Sequence, residues 1–211
     1  MNSQHLGSAY QYSPLREGHF RILEITSTEP IITIRLVEYS NDEAPNYHAV
    51  SYAWGSEHNT EVISCDNAAF YVTLHLYECL QCIYKAYGPT KLWVDAICID
   101  QASDTEKAAQ VARMHNIYQK GVSVYVWLGK AENDSDLVMD AMKNLEIADD
   151  PNDGDDVFLQ RVLHLKSEAI KLFDVNLFKP IAVLSRRSWF RRLWIAQEYF
   201  MAKEVVFFCG L

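Results

Sequence analysis

Apolar residues recur with two periods along this chain, and the changes from one to the other mark its elements. Residues 20–25 and 31–37 are short β-rich runs, and the turn-like Thr26-Ser27-Thr28-Glu29-Pro30 between them predicts a hairpin. Residues 47–53, YHAVSYA, form another strand, ended by Trp54-Gly55-Ser56. A second hairpin follows, with strands at 62–65 and 70–72 and a turn at Asp66-Asn67. The period then lengthens. Thr73 caps a helix whose Leu76, Leu80, Ile83 and Tyr87 share one face, and Gly88-Pro89 ends it. Residues 91–101, KLWVDAICIDQ, are the most apolar stretch of the chain. Such a run reads as a strand buried on both faces, with Trp93 in the core and Asp100 and Gln101 in a loop at its carboxyl end. Asp95 interrupts it. Either the strand ends there, the favoured reading, or the carboxylate has a buried partner, because burying it alone is costly.

Downstream, Ser103 and Glu106 make a capping box for a helix with Ala108, Val111, Met114 and Tyr118 on its inner face and Gly121 as its stop. Val122, Val124 and Val126 belong to a strand, and Leu137, Ala141 and Leu145 to the inner face of the next helix. Residues 148–156, ADDPNDGDD, are an acidic insertion loop without the terminal Glu of a calcium-binding hand. Helices at 157–173, near Pro180, and at 189–201 precede a last buried strand, 204–209. Strands alternating with helices predict an α/β fold with a doubly wound, mainly parallel sheet, helices on both faces and an added N-terminal antiparallel hairpin portion. Residues 1–18 read as a polar lead-in to a single domain over 19–211.

Composition narrows the function. A hydrophobic share of 49% with 22% charged residues fits a folded chain, and a net charge of −9 argues against a nucleic-acid partner. No apolar run is long enough to span a membrane and no signal peptide opens the chain, which implies a cytoplasmic protein. Five cysteines, an odd count, imply reduced thiols. Cys79 and Cys82 fall inside a helix with no second pair to complete a zinc site, so no metal is expected, and Cys98, in an apolar run, reads as a buried thiol rather than a nucleophile. The eight glycines build neither a dinucleotide fingerprint nor a phosphate loop.

Two stretches carry candidate chemistry. In 186–198, RRSWFRRLWIAQE, a helical wheel puts Trp189, Leu193, Ala196 and Phe200 on a core stripe and Arg191, Trp194 and Glu198 opposite. That second face is either solvated or one wall of a groove where a ring stacks and a carboxylate acts. The loop Ser51-Tyr52-Ala53-Trp54-Gly55-Ser56 either holds a flat polar ligand or folds its aromatics onto the core. The cluster Arg186, Arg187, Arg191 and Arg192 either binds phosphates or balances the acidic loop.

In this order YHAVSYAWGS, KLWVDAICIDQASDTEKAAQVARMHNIY, VSVYVWLG and RSWFRRLWIAQE resemble the fungal HET (heterokaryon incompatibility) domain, over roughly residues 47–210. Asp100 departs from the Asn that family members often carry. The chain also stops after Phe208-Cys209-Gly210-Leu211 where many continue, as expected of a stand-alone domain or a fragment. HET domains look like distant relatives of TIR domains, so the resemblance implies a TIR-like (flavodoxin-like) fold. TIR enzymes carry a catalytic glutamate in a W-x-x-x-E pattern, matched here by Trp194 and Glu198. The resemblance therefore implies NAD cleavage at the nicotinamide–ribose bond, in incompatibility and cell death, with NAD as substrate and no cofactor. It assigns catalysis to Glu198 and substrate contacts to Ser51, Tyr52, Trp54, Gly55, Asp95, Asp100, Gln101, Arg191 and Trp194. A non-enzymatic module acting by self-association is the alternative. In either case the implied partners are further copies of the chain and a regulatory protein of the NLR or another type. The expected geometry has Glu198 at the mouth of a cleft lined by 51–56 and 95–101, free of a full salt bridge to Arg191 or Arg192.

Overall fold

The computed structural model describes residues 6–55, 58, 60–143 and 177–210. Their strands form one eight-stranded sheet: β1 His19–Ser27, β2 Thr33–Ser40, β3 His48–Tyr52, β4 Glu61–Cys65, β5 Ala68–Val72, β6 Thr90–Trp93, β7 Val124–Trp127 and β8 Val205–Phe208, in the order β5-β4-β2-β1-β6-β3-β7-β8. The pairings β6/β3, β3/β7 and β7/β8 are parallel. The pairings β1/β2, β1/β6 and β4/β5 are antiparallel, and β2/β4 is parallel. The sheet is thus mixed. The hairpin portion is no appendage, because β1 hydrogen-bonds directly to β6 and makes it an interior strand. Both hairpins lie where local sequence puts them, and Asp66 and Asn67 turn the second with positive φ.

Strand alternation distributes the helices. On β3 the Ser51 side chain meets residues 189–198, while Tyr52, the next residue, turns to the other face with its ring 6.4 Å from His75 on α1, Leu74–Tyr87. On β6, Trp93 is fully buried edge-on against Tyr118 of α4, Met114–Lys120. Helices therefore cover both faces. Thr73 caps α1 as expected, accepting the Leu76 N–H at 3.2 Å, and Leu76, Leu80 and Ile83 are buried, but Tyr87 is exposed.

Other expectations need correcting. Strand β6 stops at Trp93, and 95–98 is neither strand nor loop but one helical turn, α2 Asp95–Cys98. The helix expected over 103–120 is two, α3 Asp104–Val111 and α4, with Ala108 and Val111 exposed and Met114 and Tyr118 buried. The break lets Gln110 turn inward and donate to the His19 carbonyl at 2.9 Å. In α5, Ser135–Lys143, Val138 is buried and Leu137 exposed, so the inner face is rotated by one residue; Leu145 lies outside the described residues. Helix α6, Phe178–Leu184, contains Pro180 as expected, in its first turn. Residues 148–156 and the helix expected at 157–173 lie outside the described residues. The last strand, β8, is an edge strand and only half-buried.

The lead-in is also more than a leader. Ala9 bridges to Ala69 through the Tyr10 N–H to Ala69 carbonyl and Ala69 N–H to Ser8 carbonyl bonds, 2.8 and 3.1 Å. The Tyr12 hydroxyl then donates to the Ile97 carbonyl at 2.7 Å, and Arg21 lies over the Tyr12 ring. Arg21 donates to the carbonyls of Ser13 and Cys98 and forms a two-pronged pair with Glu106, at 2.6 and 3.1 Å. Glu106 was expected to reach back to the Ser103 N–H. It instead accepts from Asp100 N, and only the Ser103 half of the capping box forms. The turn after β6 is thus pinned from behind by Tyr12 of the lead-in and Arg21 of β1.

Candidate functional site

A cleft of about 450 Å³ opens beyond the carboxyl ends of β3 and β6, where ligands sit in open α/β sheets. Trp54 and Gly55 enter it from β3, Asp95 and Gln101 from the turn after β6, Lys107, Val111 and Met114 from α3 and α4, and Ser188, Arg192 and Trp194 from the far wall. Five predicted residues meet here: Trp54, Gly55, Asp95, Gln101 and Trp194. A larger hollow, about 720 Å³, lies between the lead-in and α3 and takes in Asp100. Its Glu106, Gln110 and Arg113 are already bonded within the protein, so it offers a ligand little.

The cleft floor is organised around Asp95. Its carboxylate accepts from Trp54 Nε1 at 2.9 Å and from the Ala96 N–H at 2.7 Å, while Gln101 Nε2 donates to its backbone carbonyl at 2.9 Å. Both readings of the acid thus hold in part: the strand ends before it, and it has a partner. Burial pushes its carboxyl up to about 6, against the opposing pull of these two donors and of Arg192. Since the folded value lies above the ordinary one near 3.9, the fold favours the protonated form. This group's contribution to stability is present in full below about pH 4 and is lost as pH rises through 6. Trp54 fluorescence should therefore change with a midpoint near pH 6, and the step should vanish in Asp95→Asn. A flat titration between pH 4 and 8 would show that Asp95 carries no such shift.

The far wall departs most from expectation. Residues 189–201 do not form one helix. A 3-10 turn, Ser188–Arg191, ends at Arg192, whose backbone is extended (φ −81°, ψ 136°), and helix α7, Ile195–Phe200, follows. The wheel therefore fails. Trp189 is buried, but Leu193 and Phe200 are 89% and 77% exposed, and Glu198 is 1% exposed. Nor is Glu198 free. Arg192 grips both its carboxylate oxygens, at 2.7 and 2.8 Å, and the Ser51 hydroxyl donates to it. Trp189 Nε1 in turn donates to Ser51 Oγ at 2.6 Å. The expected open carboxylate at the cleft mouth is thus a sealed one behind the wall, separated from the cavity by Arg192.

The remaining predicted residues scatter. Ser51 and Tyr52 are buried, Ser51 beneath Glu198 and Tyr52 on the opposite face. Arg191 is exposed away from the cleft. The basic cluster splits: Arg187 donates to the Leu128 carbonyl at 2.8 Å and to Ser135 Oγ, and Arg192 to Glu198. Arg192, Lys107 and Ser188 were missed as cleft residues. Arg192 lay inside the recognised cluster, but only the helix break turns it inward; nothing in the sequence marked Lys107. Among the described residues no group of three or more His, Cys, Asp or Glu side chains is placed to hold a metal.

Fold and cleft define an α/β protein with a ligand-sized site at the ends of parallel strands. Residues 47–198 match the family model described as Heterokaryon incompatibility protein (HET). The chain is also similar to "Heterokaryon incompatibility protein 6, OR allele" of Neurospora crassa, 33% identical over 196 aligned positions that cover 79% of this chain and 29% of the relative. The chain belongs to the HET family, as the four motifs implied, and spans less than a third of that relative's length. No solved structure matches it.

Proposed function

We propose that the domain hydrolyses NAD at the nicotinamide–ribose bond as an effector of fungal heterokaryon incompatibility, the setting that the relative's name supplies, and of cell death, which rests on family likeness. One observation carries the reading: a cleft that pairs two half-exposed tryptophans, Trp54 and Trp194, with a carboxylate, Asp95, and backs onto the Arg192–Glu198 pair. The strand order supports a TIR-like fold. Numbered along the chain, the parallel strands β3, β6, β7 and β8 lie in the order 2-1-3-4, the flavodoxin-like arrangement. Glu198 sits between the third and fourth of them.

The chemistry needs little machinery. The bond from ribose C1′ to the nicotinamide nitrogen breaks, and its electron pair leaves with nicotinamide as a neutral molecule, so no acid is required there. Positive charge develops at C1′ and the ring oxygen, where a carboxylate stabilises it. Water adds to C1′ and gives up a proton, leaving ADP-ribose. Glu198 is the proposed stabilising carboxylate. Trp54 and Trp194 are proposed to stack on the rings, and Asp95 and Gln101 to contact the ribose or amide.

Mixing the pure protein with NAD and measuring released nicotinamide tests the reading. Turnover should appear and rise per mole with protein concentration, because activation is proposed to require association. No nicotinamide at high micromolar protein, with the oligomer present, would reject the enzyme. A self-associating module without catalysis would then remain, and an exposed apolar surface favours it: Phe190, Leu193, Trp194, Tyr199, Phe200 and Met201 all lie open around α7. Regulation by an NLR-type partner is proposed on family likeness alone. No described helix is long and apolar enough to cross a membrane, and the cytoplasm is the proposed compartment.

A further inference from the structure

We propose that Arg192 is the phosphate ligand of the cleft, and that capture of a nucleoside diphosphate draws it off Glu198, so that the substrate itself uncovers the carboxylate. The ligand half of this stands alone; the uncovering matters for turnover only if the hydrolase reading holds. Among the described residues Arg192 alone both lines the cleft and holds Glu198. Its side chain is 18% exposed against 1% for the glutamate, so a ligand meets the cation first. A guanidinium that grips a carboxylate with two parallel bonds presents the geometry that a phosphate also accepts. Lys107 lines the same cleft with a side chain 42% exposed; its ammonium is paired at 3.2 Å with the solvent-exposed Asp104, so it can turn to a second phosphate. The two half-exposed tryptophans suit the base or nicotinamide ring at the other end.

The local chain permits the exchange. Arg192 lies in extended backbone between a 3-10 turn and α7, so its side chain moves without unwinding a helix. When it leaves, Glu198 keeps the Ser51 hydroxyl, itself fixed by Trp189 Nε1. The carboxylate stays oriented while losing the cation that neutralises it. An uncompensated carboxylate at the wall is what a developing oxocarbenium requires.

Calorimetric titration with inorganic pyrophosphate and with ADP-ribose tests this without requiring turnover. Both should bind the wild type. In Glu198→Gln, Arg192 no longer has to leave a carboxylate, and pyrophosphate should bind at least about tenfold tighter. Lys107→Gln, which removes a half-exposed charge, should bind it about three- to tenfold more weakly. Asp95→Asn removes a negative charge from the same cleft without breaking the Arg192–Glu198 pair, and should gain clearly less than Glu198→Gln. Unchanged or weaker pyrophosphate binding in folded Glu198→Gln, or an equal gain in Asp95→Asn, would overturn the lock. Nicotinamide released from NAD by a protein that binds no pyrophosphate would also overturn it while leaving the hydrolase standing. Pyrophosphate binding with the expected ranking, but no nicotinamide released, would support the ligand and reject the hydrolase.

Discussion

Glu198→Gln is expected to lose about 10²- to 10³-fold in NAD turnover per folded molecule and, in the same sample, to melt at a lower temperature. The two losses have separate origins. The stability loss follows from geometry: the carboxylate is 1% exposed and accepts two bonds from Arg192 and one from Ser51. The amide keeps one acceptor oxygen and turns an N–H₂ toward a guanidinium. Breaking one side of such a buried pair costs about 3 kcal/mol. The loss of turnover would come from removing negative charge where the oxocarbenium develops. A glutamate that only holds Arg192 would give the melting shift alone, with undiminished activity among the molecules that stay folded. Activity normalised to the folded fraction, read at a temperature well below both transitions, separates the cases.

Arg21→Met should destabilise the fold strongly, by about 3–5 kcal/mol. It strands Glu106, whose side chain is 11% exposed, and strips donors from the carbonyls of Ser13 and Cys98. Burial alone would push the Glu106 carboxyl up, but the bonds from Arg21 and from Asp100 N outweigh it and hold the value below the ordinary one. A depressed carboxylate stabilises the fold at neutral pH and above, and that contribution disappears as pH falls through its folded value. Wild-type stability should therefore drop in acid more steeply than that of Arg21→Met. Replacing the pair together, Arg21→Met with Glu106→Leu, should restore part of the loss, because no buried charge is then left unpaired, while the Ser13 and Cys98 carbonyls and the Asp100 N–H still lose their side-chain partners. Urea unfolding of the three proteins at pH 7 and pH 4 measures both effects. A double variant as unstable as the single one would show that the ion pair is not the source.

What the sequence made legible was local. The Asp66-Asn67 turn, the Thr73 cap, the hairpin of β1 and β2 and the buried Trp93 each follow from a few adjacent residues whose physics does not depend on the rest of the fold. The family motifs were equally readable, since order and spacing carry them. The site was readable only in part. Trp54, Asp95, Gln101 and Trp194 lie in loops or turns at strand or helix ends, and the pattern brought them together. The wheel over 189–201 failed because periodicity assumes an unbroken helix. A break at Arg192 turned Glu198 inward, where residues as far away as Ser51 satisfy it. No window of sequence reveals that a carboxylate on an apparently polar face is neutralised by an arginine six residues before it. Asp95 showed the converse: an acid in an apolar run was a true signal, and its partner, Trp54, came from a separate motif.

The position of β1 bears on where the inherited unit ends and the folding unit begins. The family match starts at residue 47, yet β1 and β2 lie between β6 and the β4–β5 hairpin in the sheet. Cutting the gene at the match would leave β4 and β5 with no strand to join and would bare the backbone of β6, a ready template for pairing with another chain. A recombination event that shuffled only the matched segment would deliver an aggregation-prone piece. For anyone transplanting this domain, β1 and β2 travel with it.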